Sequence, residues 1–162
     1  MNAKFKINGL TLETNRLILR SFKESDLYDF NEYASVEGVG EMAGWKHHET
    51  IEKTQEILDL FMKQDKTFAV VWKENNKVIG SLGVEEYGME EILSEFFHYR
   101  GREIGYVLSK DYWGKGIMPE AVGAVIEYLF NVLELDFLTC GYYDFNSQSK
   151  RVQQKCGFKP YR

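Results

Sequence analysis

Only two prolines and two cysteines occur among the 162 residues. Cys140 and Cys156 are too few for a disulfide framework. No His pair stands beside either, which argues against a Cys/His metal site. No apolar run approaches the ~20 residues that span a bilayer. The opening MNAKFKING lacks the apolar core of a secretory signal. A surplus of positive charge is missing too: 20 Lys and Arg stand against 25 Asp and Glu, giving a net charge of −5 and a pI near 5.3. A general nucleic-acid binder carries a basic footprint, so neither nucleic acid nor a membrane is an expected partner. These absences describe a reduced, cytoplasmic protein without a metal. No internal repeat, linker or low-complexity stretch is present.

What remains is ordinary globular material. The hydrophobic fraction is 44% and the charged fraction 28%. The length corresponds to about one domain, here residues 1–162, large enough for its own core. Aromatics reach 15%; they build cores and also line small-molecule pockets.

The chain reads as β-α-α-β-β-β-α-β-α. Arg16 to Arg20 has the pattern of a strand. Ser25-Asp26 starts a helix carrying Leu27, Phe30 and Ala34 on one face. A Gly-containing loop from Glu37 to Trp45 precedes a second helix capped by Thr50, with Ile51, Ile57, Leu58, Phe61 and Met62 at helical spacing. Thr67 to Trp72 and Lys77 to Val84 form a hairpin across the turn Glu74-Asn75-Asn76. A polar stretch from Glu85 to Gly101 leads to a strand over Arg102 to Leu108 and a Gly-rich loop over Asp111 to Met118. After Pro119, the residues Val122, Val125, Ile126, Leu129, Phe130 and Leu133 mark a helix. Phe137 to Tyr143 is expected as a strand and Ser147 to Lys155 as a short helix that stops at Gly157. The strand-helix-strand crossover from Arg102 to Tyr143 requires a parallel pair. The fold class is therefore α/β (α+β), a mixed central sheet flanked by helices.

The loop Tyr112-Trp113-Gly114-Lys115-Gly116-Ile117-Met118 carries the most chemistry. Two glycines two apart let the backbone turn tightly with its N–H groups inward. The following helix adds unpaired N–H groups and the positive end of its dipole. Together these form an anion site suited to a pyrophosphate, with Lys115 adding charge. The chain has neither the Walker pattern G-x-x-x-x-G-K-[ST] nor G-x-G-x-x-G, since Pro119 takes the third glycine's place. The loop also comes after several strands, where a Rossmann fingerprint would come early. An NTP- or dinucleotide-binding domain is thus disfavoured.

Three segments in this order resemble the GNAT superfamily of acetyl-CoA-dependent N-acetyltransferases. Trp113 to Met118 followed by Pro119-Glu120-Ala121 looks like its pyrophosphate loop. Asn146-Ser147-Gln148-Ser149 leading to Lys155-Cys156-Gly157-Phe158 is similar to its N-x-x-S/A…G-F segment. Leu12 to Arg20 is similar to its opening strand. Trp113, Glu120-Ala121 and Ser149 resemble the branch of RimJ/RimL-type acetyltransferases. The chain also departs from the pattern. Trp113 stands in place of the usual Arg or Gln. Met118 replaces a small residue, which predicts a long side chain beside the pyrophosphate. Gln153 stands where many relatives carry a Tyr that protonates the leaving thiolate, so that role is vacant. The family continues past Phe158 through a closing C-terminal hairpin, which is expected to be truncated here and to leave a sheet edge open for a homodimer.

The resemblance implies direct attack of a neutral primary amine on the acetyl-CoA thioester, on a protein N-terminus or a small-molecule amine. The alternative is a non-catalytic acyl-CoA-binding or interaction module. Glu103 is the candidate base, with Glu85, Glu86, Glu90 and Glu91 as rivals and an exposed carboxylate beside Arg102 as the plain reading. Ser149 is the candidate acid. Asn146 holds the pantetheine arm, caps the short helix, or both. The backbone at Leu108 is expected to pair with the pantetheine amides and to polarise the thioester carbonyl. Trp113, Gly114, Lys115, Gly116, Ile117 and Met118 complete the cofactor set. Arg151 and Lys155 stay outside it as helix-surface charges. Trp45, His47 and His48 fall in the loop that covers the acceptor in this family, with the two His expected at the surface. Cys140 reads as a buried strand thiol, not a nucleophile.

Overall fold

Short β-branched stretches build the sheet, and longer stretches of helical period build its covers. The computed structural model describes residues 1–88 and 94–161. Six strands lie in one sheet in sequence order: β1 Leu12–Glu13, β2 Leu17–Ser21, β3 Thr67–Trp72, β4 Lys77–Glu85, β5 Gly101–Leu108 and β6 Phe137–Thr139. The first five pair antiparallel with their neighbours, whereas β5 and β6 are parallel. The helices are α1 Leu27–Ala34, α2 Ile51–Gln64, α3 Ile117–Asn131 and α4 Ser147–Lys155. This is the expected mixed α/β class, with β5, α3 and β6 forming the parallel crossover.

Alternation along the strands divides the core in two. Leu17, Leu19, Phe68, Val70, Leu82 and Ile104 pack with Ile117, Ala121, Val122, Val125 and Leu129 of α3. Ala69, Val71, Val78 and Val107 face the other way, onto Phe30 and Tyr33 of α1 and Leu58 of α2. Residues 67–71 of β3 are buried on both faces, as a central strand covered by two helical layers must be.

Two boundaries differ from the expected ones. The strand anticipated over Phe137 to Tyr143 ends at Thr139, after the register Gly101↔Phe137, Arg102↔Leu138 and Glu103↔Thr139. Beyond it, Tyr106 of β5 bonds to Ser149 of α4, so a helix replaces a strand beside β5. The Gly-rich loop ends at Gly116, not Met118. Gly116 takes φ 70° as the N-cap of α3, and Ile117 and Met118 form its first turn. The Met118 side chain is 3% exposed and packs in the core, while the residue also borders the cavity at the start of α3. Among the described residues, no strand follows β6.

Candidate active site

The parting of β5 from β6 opens a cavity of about 660 Å³, within the range of small-molecule sites. Its walls are β5 from Glu103 to Leu108, the loop and first turn of α3, residues 141–143, α4, and Val39, Met42 and Ala43 from the α1–α2 connection. Ser109 N–H donates to the Ile79 carbonyl at 2.7 Å. In an antiparallel ladder the bonded residues alternate, so Tyr106 and Leu108 turn their backbone groups away from β4, toward the gap. The Leu108 carbonyl accepts from the Trp113 indole N–H at 2.8 Å. That bond folds the loop back onto the end of β5.

Gly114 (φ 76°) and Gly116 (φ 70°) both occupy the left-handed region that glycine enters without steric cost. Among the described residues, none accepts the backbone N–H groups of residues 114–118. These donors lie at the positive end of α3. Lys115, Arg151 and Lys155 border the same cavity, so the two helix cations that the sequence left aside belong to its wall.

A charged buckle holds the loop from behind. Arg16 donates from Nε to Glu120 Oε1 at 2.9 Å and from Nη1 to the Lys115 carbonyl at 3.0 Å. Thr14 Oγ1 and Arg16 N–H donate to Glu120 Oε2 at 2.6 and 3.0 Å. Partial burial raises the Glu120 pKa, but these hydrogen bonds outweigh it and leave the carboxyl below its ordinary range. On the resemblance that assigns this loop to a CoA pyrophosphate, Arg16→Ala is expected to weaken CoA binding about fivefold, the equivalent of about 1 kcal/mol. Turnover at saturation should change less than twofold; calorimetry and steady-state rates read the two separately.

Glu103 borders the cavity, and Thr139 Oγ1 donates to its Oε1 at 3.4 Å. Burial raises its pKa, Thr139 opposes this, and Glu85, its register partner, adds to the rise. The plain reading of an exposed carboxylate beside Arg102 fails, because alternation sends the two side chains to opposite faces. Arg102 is 4% exposed and donates to the Ala3 and Val84 carbonyls. Of the rival carboxylates, Glu85 pairs with Lys66 at 2.8 Å, and Glu86 lies 3.9 Å from Arg102, away from the cavity. Glu90 and Glu91 lie outside the described residues.

Asn146 caps α4. Its Oδ1 accepts from Ser149 N–H at 3.0 Å, and its Nδ2 donates to the Met42 carbonyl at 3.0 Å. One amide thereby fixes the start of α4 and moors the α1–α2 connection. Ser149 Oγ lies 2.8 Å from the Tyr106 hydroxyl and accepts from Gln153 Nε2 at 3.4 Å. Tyr106 was not singled out in the sequence. Strand alternation placed it on the α3 side, but no local pattern says that its ring reaches α4. Cys140 is half-buried just past β6, and burial pushes its thiol up to about 12, so it is no thiolate nucleophile.

The two adjacent histidines differ. His48, expected at the surface, is 5% exposed and shares a hydrogen bond with Thr54 Oγ1 at 2.8 Å. Burial, with Lys53 nearby, lowers its pKa. His47 Nδ1 lies 3.0 Å from Glu41, whose carboxyl is pulled down to about 2 by hydrogen bonds from His47 and Gly38. The Trp45 ring packs against that of His48. None of the three lines the cavity. Among the described residues, no cluster of His, Cys, Asp and Glu could hold a metal ion. No described helix is long and apolar enough to cross a membrane.

Comparison with known proteins places this geometry. The chain matches the acetyltransferase (GNAT) domain family over residues 16–159. The uncharacterized N-acetyltransferase YoaA of Bacillus subtilis (strain 168) is 28% identical over 154 residues, spanning 91% of this chain and 82% of that protein. A GNAT-family acetyltransferase from Bacillus anthracis aligns with a TM-score of 0.80 at 26% identity, over 93% of this chain and 84% of that one. A spermidine N-acetyltransferase from Vibrio cholerae, in complex with CoA and spermine, shares the fold with a TM-score of 0.70 at 16% identity, over 89% and 81% of the two chains.

Proposed function

The chain belongs to the acetyltransferase (GNAT) family, and from that premise we propose that it transfers an acetyl group from acetyl-CoA to a primary amine in a ternary complex. One observation carries this reading: an open strand edge runs directly into a nest of N–H groups that find no acceptor among the described residues, within one cavity. The edge of β5 at Tyr106 and Leu108 suits the amides of a pantetheine arm, paired as an added strand. The N–H groups of residues 114–118, with Lys115, Arg151 and Lys155, suit a pyrophosphate.

The thioester supplies an activated carbonyl and a thiolate leaving group. Glu103 takes the proton that the amine must lose, directly or through water. Burial suits it, because a carboxyl with a raised pKa is a stronger base. Ser149 supplies a proton to the departing sulfur, and a backbone N–H at the end of β5 polarises the carbonyl oxygen. Trp113 and Ser149 favour the RimJ/RimL-like branch. The acceptor is a small-molecule amine or a protein N-terminus. An amine acceptor agrees with the spermine held by the Vibrio cholerae structure. A cytoplasmic domain over residues 1–162 that self-associates through the open edge of β6 belongs to the same reading, and light scattering reads its mass.

The first test is calorimetric titration with acetyl-CoA and CoA, with ATP and NAD as controls. Selective binding, followed by thiol release with a panel of amines, is the expected result. Binding without turnover of any amine would favour the acyl-CoA-binding module. No binding by folded protein would overturn the cofactor assignment.

A further inference from the structure

We propose that Tyr106 and Gln153 are positioning residues that together aim the Ser149 hydroxyl proton into the cavity. The proposal rests on the reading of Ser149 as the proton donor. A serine hydroxyl has one hydrogen and two lone pairs. The Tyr106 hydroxyl lies 2.8 Å from Ser149 Oγ and 3.1 Å from the Ser149 carbonyl. That carbonyl sits inside α4, where the helical ladder already directs the Gln153 backbone N–H at it. We assign the phenol proton to Oγ because that contact is the shorter, 2.8 Å against 3.1 Å. The Gln153 amide donates from Nε2 to the Gly141 carbonyl at 3.0 Å and to Ser149 Oγ at 3.4 Å, and it also reaches the Tyr106 hydroxyl.

With that assignment both lone pairs of Ser149 Oγ face donors, and its own hydrogen takes the remaining direction. Ser149 and Gln153 are 8% and 6% exposed, so water does not compete freely for these bonds. The Asn146 cap holds the Ser149 backbone, and Ser149 borders the cavity. Burial raises the Tyr106 pKa, keeping the phenol protonated in the resting enzyme, and Gln153 has no titration at all. Cys140, beside Tyr106, stays a neutral thiol. A neutral orienting amide thus reaches Ser149 from within α4, while a phenol reaches the same serine from β5.

In the step itself, the amine nitrogen bonds to the acetyl carbon and the carbon–sulfur bond breaks with its electron pair on sulfur. The Ser149 proton passes to sulfur while the Tyr106 proton moves onto Ser149 Oγ. Water then reprotonates Tyr106, and Glu103 accepts the surplus proton of the amine.

The test compares Tyr106→Phe, Gln153→Leu and Ser149→Ala, singly and in pairs. Tyr106→Phe keeps the ring, and is expected to lower kcat about tenfold with KM for acetyl-CoA within twofold of wild type. Adding Tyr106→Phe or Gln153→Leu to Ser149→Ala should cost nothing more, because both act through that hydroxyl. In mixtures of light and heavy water, the wild-type rate should depend on deuterium content as two protons in flight, and that of Tyr106→Phe as one. Additive losses, an unchanged proton count, or an effect confined to KM would overturn the proposal while leaving acetyl transfer intact. If Tyr106→Phe fails to fold, Gln153→Leu carries the same test by its non-additivity with Ser149→Ala. A wild-type enzyme that binds acetyl-CoA but acetylates no amine would overturn the parent reading as well.

Discussion

Glu103→Gln should lower kcat about 100-fold, the lower end of the range for removing a general base, while CoA affinity stays within twofold. The amide keeps the shape of the carboxyl and can still accept the Thr139 hydroxyl, so the cavity is preserved and only the proton-accepting function is lost. The pH dependence adds a second readout. Burial holds the Glu103 pKa above its ordinary 4.5, so the wild-type rate should rise with pH through an acid limb displaced upward. That limb should vanish in the variant. The sign for stability is the opposite of the sign for activity. A carboxyl whose folded pKa is raised contributes stability while protonated and loses it as pH climbs from its unfolded value through its folded one. At pH 8 the wild type carries the cost of a partly buried carboxylate and the glutamine variant does not. Thermal melts should place Glu103→Gln at or above wild type at pH 8, with the advantage shrinking below pH 4.5. A variant retaining more than half of wild-type kcat would remove Glu103 from the role of base.

Gly114→Asp should weaken CoA binding about 100-fold, and Gly114→Asn about tenfold. Nothing lies within 4 Å of a Cβ built at Gly114, so a side chain fits, but φ 76° imposes a backbone cost on any residue with one. That cost is about 1–2 kcal/mol and is smallest for Asp and Asn. The two variants share backbone strain and size, so their difference isolates the charge. A carboxylate among N–H groups that serve an anion opposes the pyrophosphate directly. About tenfold between the two corresponds to about 1.4 kcal/mol of repulsion, and it should fall as salt is raised. Calorimetry at two ionic strengths measures both quantities. Equal affinities for the two variants would show that the loop does not hold phosphate charge.

Features carried by local spacing were legible in the sequence. The apolar period from Val122 to Leu129 marked α3, and its place between two strand-like segments required the parallel pair that β5 and β6 form. Gly114 and Gly116 marked the loop because the left-handed backbone conformation leaves few alternatives. What depends on distant partners stayed hidden. Phe137 to Tyr143 has strand composition throughout, yet only three residues find a neighbour, because α4 takes the next place beside β5. His47 and His48 are chemically alike, and only the packing of α1 against α2 buries the second. The tie of Arg16 to Glu120 and the contact of Tyr106 with Ser149 each join residues far apart in sequence. No local pattern encodes them.

The mooring of the α1–α2 connection has a mutational corollary. Asn146 grips it through the Met42 carbonyl, a group that every amino acid presents alike. A substitution at Met42 consequently leaves both that anchor and the start of α4 in place. Mutation can therefore alter what position 42 presents to the cavity while the join beneath it persists.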